Sequence, residues 1–203
     1  MRVVVPHAGS SGKTRLELTR SAREKLSLAM LEDVLAAAAR IGDTWVVTAD
    51  RAAAVAAREA EAAWVPDPGG GQGPAVEATL SEIGDGPVLV VNSDLPSVTL
   101  ADLRALAAAT PASGIAIAAA EDGTTNALGL SEPAVFEPLY GEDSAARFRA
   151  HAERLGLAAV FAPIVGLRDD VDTLVDLARV APRTGPSTRA CLAGLDLVPE
   201  VHA

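Results

Sequence analysis

The chain reads as an α/β protein with a mostly parallel central sheet, and three observations lead there. Short apolar runs alternate with longer stretches of helical period along most of the length. One run, PVLVV at 87–91, is apolar without alternation, the mark of a strand covered on both faces. Hydrophobic residues make up 49% of the 203 but aromatics only 3%. The core must therefore be built from Ala, Val and Leu, which suits helices packed closely on a sheet.

The elements follow in order. Residues 2–5 form a strand that Pro6 ends at a loop. Ser21 opens a helix, with Glu24 three positions on as a capping box. Its apolar stripe is Leu26, Met30, Val34, Ala38 and Ile41, and Gly42 stops it. Residues 45–48 are a second strand, followed by an Ala-rich helix from about Ala52, and 63–65 are a third. The loop 66–74, PDPGGGQGP, leads to a helix whose first residue is Pro74. After the buried strand 87–91, Thr99 and Asp102 cap a helix over 100–109. Residues 115–119 and 126–130 read as strands and 144–155 as a helix. Residues 160–165 are strand-like but broken by Pro163, and 173–180 form a short helix capped by Thr173 and Asp176. From Pro182 onward no period is visible. No repeat or long linker divides the chain, so residues 1–203 are expected to form one domain.

Bulk properties narrow the function. The net charge is -10, from 27 acidic and 17 basic residues, which disfavours a nucleic-acid partner. The one cysteine, Cys191, excludes an intramolecular disulfide framework. The run from Val3 to Pro6 is too short for a signal peptide, and no stretch reaches the roughly 18 apolar residues of a membrane span. A cytoplasmic protein with no membrane partner is expected.

Ligands of such sheets bind beyond the carboxyl ends of the strands, so the loops 5–15, 66–74, 92–97 and 120–126 are where chemistry belongs. Ser10 to Thr14 looks like the end of a P-loop, but His7 stands where that pattern needs Gly. A looser reading lets Gly12 and its neighbours offer N–H groups to phosphate, with Lys13 and Arg15 as counter-charges. A solvated loop with two surface cations is the plain alternative. Asn92 and Asp94 lie just past the buried strand, where a carboxylate is well placed for Mg²⁺, or simply caps a turn before Pro96. Gly70, Gly71 and Gly73 allow backbone to approach a base or phosphate, or make a flexible tip. Asp170 and Asp172, two apart, face one side if extended, while an acidic helix start is the simpler explanation. Thr124, Thr125, Gly141 and Ser144 are small residues at a strand start and a helix start, able to hold an anion. His7, His151 and His202 look too scattered for a cluster. Cys191 reads as a buried small side chain, and Trp45 and Trp64 as core.

Taken together, LAMLEDVL, VLVVNSDLP, DGTTNAL, YGEDSAARFRAHAERLGL and DVDT resemble the 2-phospho-L-lactate guanylyltransferase family, including its actinobacterial phosphoenolpyruvate guanylyltransferase branch. The likeness runs from about residue 2 to 180. It implies a Rossmann-like three-layer nucleotidyltransferase fold and a role in coenzyme F-420 synthesis. The implied reaction joins GMP from GTP to a phosphorylated three-carbon acid and releases pyrophosphate. The resemblance places metal carboxylates at Asp94, Asp170 and Asp172, with Mg²⁺ as cofactor, and acid-substrate contacts at Thr124 or Thr125, Gly141 and Ser144. Lys13, Arg15 and Asp94 become the expected catalytic residues. Gly12, Lys13, Gly70, Gly71, Gly73 and Asn92 become the expected nucleotide contacts. Hand-over of product to the next pathway enzyme and a homo-oligomer are compatible with it. GQGPAV stands where a Leu-Asn pair is expected. Two alternatives remain: a cytidylyl- or uridylyltransferase on a sugar phosphate, and a nucleotide-binding protein without turnover.

Overall fold

The structure is a computed structural model, and it describes residues 1–9 and 15–195. Seven strands form one sheet in the order β3-β2-β1-β4-β6-β5-β7. They are β1 (Arg2–Pro6), β2 (Asp43–Thr48), β3 (Ala63–Pro66), β4 (Val88–Val91), β5 (Gly114–Ala119), β6 (Thr125–Leu130) and β7 (Ala158–Phe161). β1 pairs in parallel with β2 and β4, β2 with β3, and β5 with β7. β6 runs antiparallel to both β4 and β5. That reversal matters for function: it brings the start of β6 to the edge where β4 ends, with Val91 opposite Ala127.

Helices cover both faces. On one lie α1 (Arg20–Ala38), α2 (Arg51–Glu59), α4 (Leu100–Ala109) and the short α6 (Val165–Arg168), packed on Val3, Val5, Leu89 and Val91. On the other lie α3 (Gln72–Glu82) and α5 (Ser144–Arg154), packed on Val4, Val90, Ile117 and Leu128. β4 is buried at every position, as its unbroken apolar run predicts. Each fully buried Val or Leu contributes about 1.5–3 kcal/mol relative to an exposed one, so aliphatic side chains suffice for this core. Among the described residues, Phe148 is the one aromatic of the largest fully buried side chains. It touches Phe136 and Tyr140, with ring centroids 6.0 and 5.4 Å away. That trio anchors the segment 133–140 against α5.

A third cluster joins α1 to the C-terminal part, α7 (Leu174–Val180) and α8 (Pro186–Gly194), through Leu26, Met30, Leu177, Val180 and Leu192.

Several boundaries differ from the sequence reading. Thr19, not Ser21, caps α1, accepting from Ala22 N, while Glu24 pairs with Arg20 on the exposed face. Pro74 is the third residue of α3, which begins at Gln72. Pro6 remains within β1, in register with Val47 of β2, and the next residue, His7, donates its N–H to Val47 O at 3.0 Å. The last strand is Ala158–Phe161, and Val165 belongs to α6. The region after Pro182 carries α8, whose apolar contacts are too few to show a period. Trp64 is 41% exposed at the sheet edge, where Arg58 stacks on it, and Cys191 is only half-buried. His202 lies outside the described residues. The capping boxes of α4 and α7 form as their sequence predicts.

Candidate active site

The loop after β4 and the segment after α6 meet at the open end of the sheet. Val171 N donates to Asp94 O at 3.2 Å, so the two stretches are stitched backbone to backbone. This brings one carboxylate oxygen from each of Asp94, Asp170 and Asp172 within 4.8 Å of one another. The donor set is all oxygen, as a hard divalent cation requires. With Mg²⁺–O bonds of about 2.1 Å, ligand oxygens stand about 3–4 Å apart, so a small inward shift completes the set. These residues fit Mg²⁺ in kind and in spacing.

The electrostatics agree. Asp170 has its carboxyl pushed up to about 6, first by burial and then by the facing Asp94 and Asp172, with the Asn126 amide opposing. Asn126 Nδ2 lies 3.3 Å from Asp170 Oδ1 and also donates to Arg168 O at 3.0 Å. Three carboxylates held this close without a cation repel one another, and a cation relieves that repulsion. Arg15 reaches to 4.0 Å from Asp172, with its side chain otherwise exposed.

Beside the cluster opens a cavity of about 210 Å³. Pro6, His7, Ala8 and Gly9 form one wall, Asp67, Gly71, Gln72 and Ala75 another, and Asn92, Ser93, Asp94 and Asp172 the floor. Gly69, Gly70 and Gly71 have φ of 83, 87 and 97°, a left-handed run that only glycine sustains, and Gly71 caps α3. Gly73 has a different reason: a Cβ there would lie 2.6 Å from Pro138 Cβ, so it lets the 133–140 segment sit on α3. Gln72 Nε2 donates to Asn92 Oδ1 at 2.6 Å, and Asn92 Nδ2 donates to Thr125 O at 3.2 Å. Burial raises the Tyr140 phenol far above its usual range, opposed by a bond with Gln72. Gln72, Asn92 and Tyr140 thus lock three separate loops.

The four expected acid-contact residues form their own group. Thr125 and Ser144 are buried, with their hydroxyls 3.0 Å apart. Thr124 Oγ1 donates to Asp122 Oδ1 at 2.7 Å, and that bond is the main reason the Asp122 carboxyl stays below its usual range. Gly141, with φ of 111°, accepts from Ser144 N at 3.0 Å. The group does not line the cavity; Asn92 and Asn126 link it to the carboxylates.

The structure therefore gathers Asp94, Asp170, Asp172, Arg15, Asn92 and Gly71 at one place. Gly70 and Gly73 lie on the adjoining turn, and Thr124, Thr125, Gly141 and Ser144 lie one layer away. Gly12 and Lys13 fall outside the described residues. Sequence reasoning missed His7, whose Nδ1 lies 2.9 Å from Ser93 Oγ inside the cavity, and also Gln72, Asn126 and Tyr140. His7 could have been found from its place at the carboxyl end of β1, the position at which this sheet type offers its ligands.

The model of the CofC-like guanylyl transferase family matches residues 1–186. A phosphoenolpyruvate guanylyltransferase of Mycobacterium ulcerans is 36% identical over 197 residues, covering 91% of this chain and 89% of that protein. Among solved structures, a nucleotidyl transferase from Methanothermobacter thermautotroptrophicus aligns with a TM-score of 0.65 at 20% identity, over 95% of this chain and 98% of that one. Glucosyl-3-phosphoglycerate synthase of Mycobacterium tuberculosis, solved with Mn²⁺, uridine diphosphate and phosphoglyceric acid, aligns with a TM-score of 0.56 at 14% identity, over 79% and 66%. The structural likenesses establish a nucleotidyltransferase-type fold, and the family match and the sequence identity together place this chain in the CofC-like guanylyl transferase family.

Proposed function

We propose that this protein joins GMP from GTP to phosphoenolpyruvate and releases pyrophosphate, in the synthesis of coenzyme F-420. The observation that carries the proposal is the convergence of Asp94, Asp170 and Asp172 on the rim of a cavity at the carboxyl edge of the sheet. The name of the M. ulcerans relative supports the choice of acid.

The reaction is an in-line exchange. A phosphate oxygen of the acid attacks the α-phosphorus of GTP, a new P–O bond forms, and the bond to the β-phosphate oxygen breaks. The attacking oxygen is already ionised, so no protein base is needed, and catalysis is positioning with charge neutralisation. Asp94, Asp170 and Asp172 would hold Mg²⁺, which when bound supplies neutralising charge between two anionic reactants. Arg15, Lys13 and Gly12 are assigned the role of neutralising the departing pyrophosphate. Gly70, Gly71, Gly73 and Asn92 shape the nucleotide side. Thr124, Thr125, Gly141 and Ser144 form the acid side, Thr125 and Ser144 exchanging their mutual bond for the substrate carboxylate. The site needs neither a nucleic acid nor a membrane, and no helix among the described residues is long and apolar enough to cross one. We place the enzyme in the cytoplasm, handing its product to the next enzyme of the pathway.

The test is one set of incubations with Mg²⁺: each of four nucleoside triphosphates against phosphoenolpyruvate, 2-phospholactate and 3-phosphoglycerate, scored by pyrophosphate release and product mass. GTP with phosphoenolpyruvate should give the dominant product. A dominant cytidylyl or uridylyl product, or GTP binding without release under any acid, overturns the proposal. Asp94→Asn should abolish turnover while its melting curve stays cooperative. Near-normal rates in that variant remove Asp94 from the metal role.

A further inference from the structure

The most buried carboxylate near the site is not in the acidic cluster. Asp169 precedes Asp170, and its side chain has no exposed surface. Arg183 Nη2 lies 2.8 Å from Asp169 Oδ2, and Arg168 Nε 3.2 Å from Oδ1.

Arg183 belongs to the turn Ala181–Arg183, just before α8. Two residues on, Gly185 N donates to Pro96 O at 2.8 Å, gripping the loop that carries Asp94. At the start of α8, Ser187 N and Thr188 N donate to the buried Asp33 carboxylate of α1, at 3.0 and 2.9 Å. The stretch 183–188 therefore touches both arms of the acidic cluster and is itself bolted to α1. None of residues 183–188 lines the cavity.

We propose that Arg183, acting through Asp169, is a positioning residue for the carboxylate cluster, and that the 183–188 hook sets the spacing between Asp94 and the Asp170–Asp172 segment. This rests on the reading of that cluster as a divalent-cation site. The charge argument gives the proposal a sign. Deleting an arginine makes the neighbourhood more negative, so electrostatics alone would tighten cation binding. Loss of positioning does the reverse.

The experiment is Mn²⁺ titration of the nucleotide-free, full-length protein followed by electron paramagnetic resonance, with circular dichroism melts as the fold control. Arg183→Met should weaken Mn²⁺ binding about tenfold or more, the range for loss of an outer-shell partner. Arg183→Lys, which keeps a cation on Asp169, should recover part of it. Arg149→Gln, which removes an equal charge from the surface pair with Glu153, should leave binding unchanged. In turnover assays the Mg²⁺ half-saturation should rise with little change in KM for GTP. Unchanged or tighter Mn²⁺ binding in folded Arg183→Met overturns the proposal. If Arg183→Met does not fold, Arg183→Gln, which likewise removes the cation from Asp169, decides by the same criterion. Wild-type protein that binds no Mn²⁺ overturns the cation reading itself, and the positioning role with it.

Discussion

At the residue scale, the cost of the site is concentrated in Asp170. Its carboxyl titrates at about 6 in the fold against an ordinary value of 3.8. Between those values the folded chain binds more protons than the unfolded one, so the stability this group allows is fully present below pH 3.8 and is lost as pH rises through 6. At neutral pH the metal-free protein carries the whole penalty. Asp170→Asn should therefore raise the melting temperature at pH 7.5 and leave it nearly unchanged at pH 4. Equal melting temperatures for the two proteins at pH 7.5 would count against the crowding of these carboxylates. The same variant should lose cation binding, so a gain in stability and a loss of activity should appear together.

At the element scale, α8 depends on a side chain far away in sequence. It has no N-cap hydrogen bond of its own, and Asp33 of α1 supplies one across space to Ser187 N and Thr188 N. Asp33→Ala strips both donors of their acceptor and should cost about 1–3 kcal/mol in urea unfolding. Gly73→Ala should push the 133–140 segment off α3, since the new Cβ meets Pro138 at 2.6 Å. A raised KM for GTP together with a lowered melting temperature, from about 1–3 kcal/mol of overpacking strain, would be its signature. These elements also show what the sequence could and could not disclose. β4, α4 and α7 were legible because burial of a whole strand and reciprocal capping leave local marks: an unbroken apolar run, and Thr with Asp three positions on. α8 was not, because its cap comes from Asp33 and a mere handful of its residues reach the core. Asp94, Asp170 and Asp172 could be listed as candidates from their loops and the family likeness. Their approach to within 4.8 Å depends on the bond between Val171 and Asp94, which no local pattern encodes. Gln72 escaped for the same reason, since it acquires meaning from Asn92 in another loop, whereas His7 stood at a strand's carboxyl end and could have been read there.

At the scale of the whole molecule, an enzyme carrying a net charge of -10 must still admit two phosphorylated reactants. A divalent cation at the proposed carboxylate site would serve that purpose and should also stabilise the fold by mass action. At one hundred times its dissociation constant, Mg²⁺ or Mn²⁺ should add about 2.7 kcal/mol, a rise of about 5–10 °C in melting temperature. The rise should vanish in Asp94→Asn, and a melt indifferent to either ion in the wild type would speak against the site. The antiparallel β6 lets the same edge recruit residues from a strand's beginning as well as from strand ends, which is how Asn126 comes to touch Asp170. The clasp between Asp33 and Ser187 spans 154 residues of chain. A ribosome releasing this protein has therefore extruded every strand before the last brace of the active site leaves the exit tunnel. A released chain cut back to residue 180 should possess every strand yet hold Mn²⁺ poorly, since it lacks both the clasp to Asp33 and the Arg183 contact to Asp169.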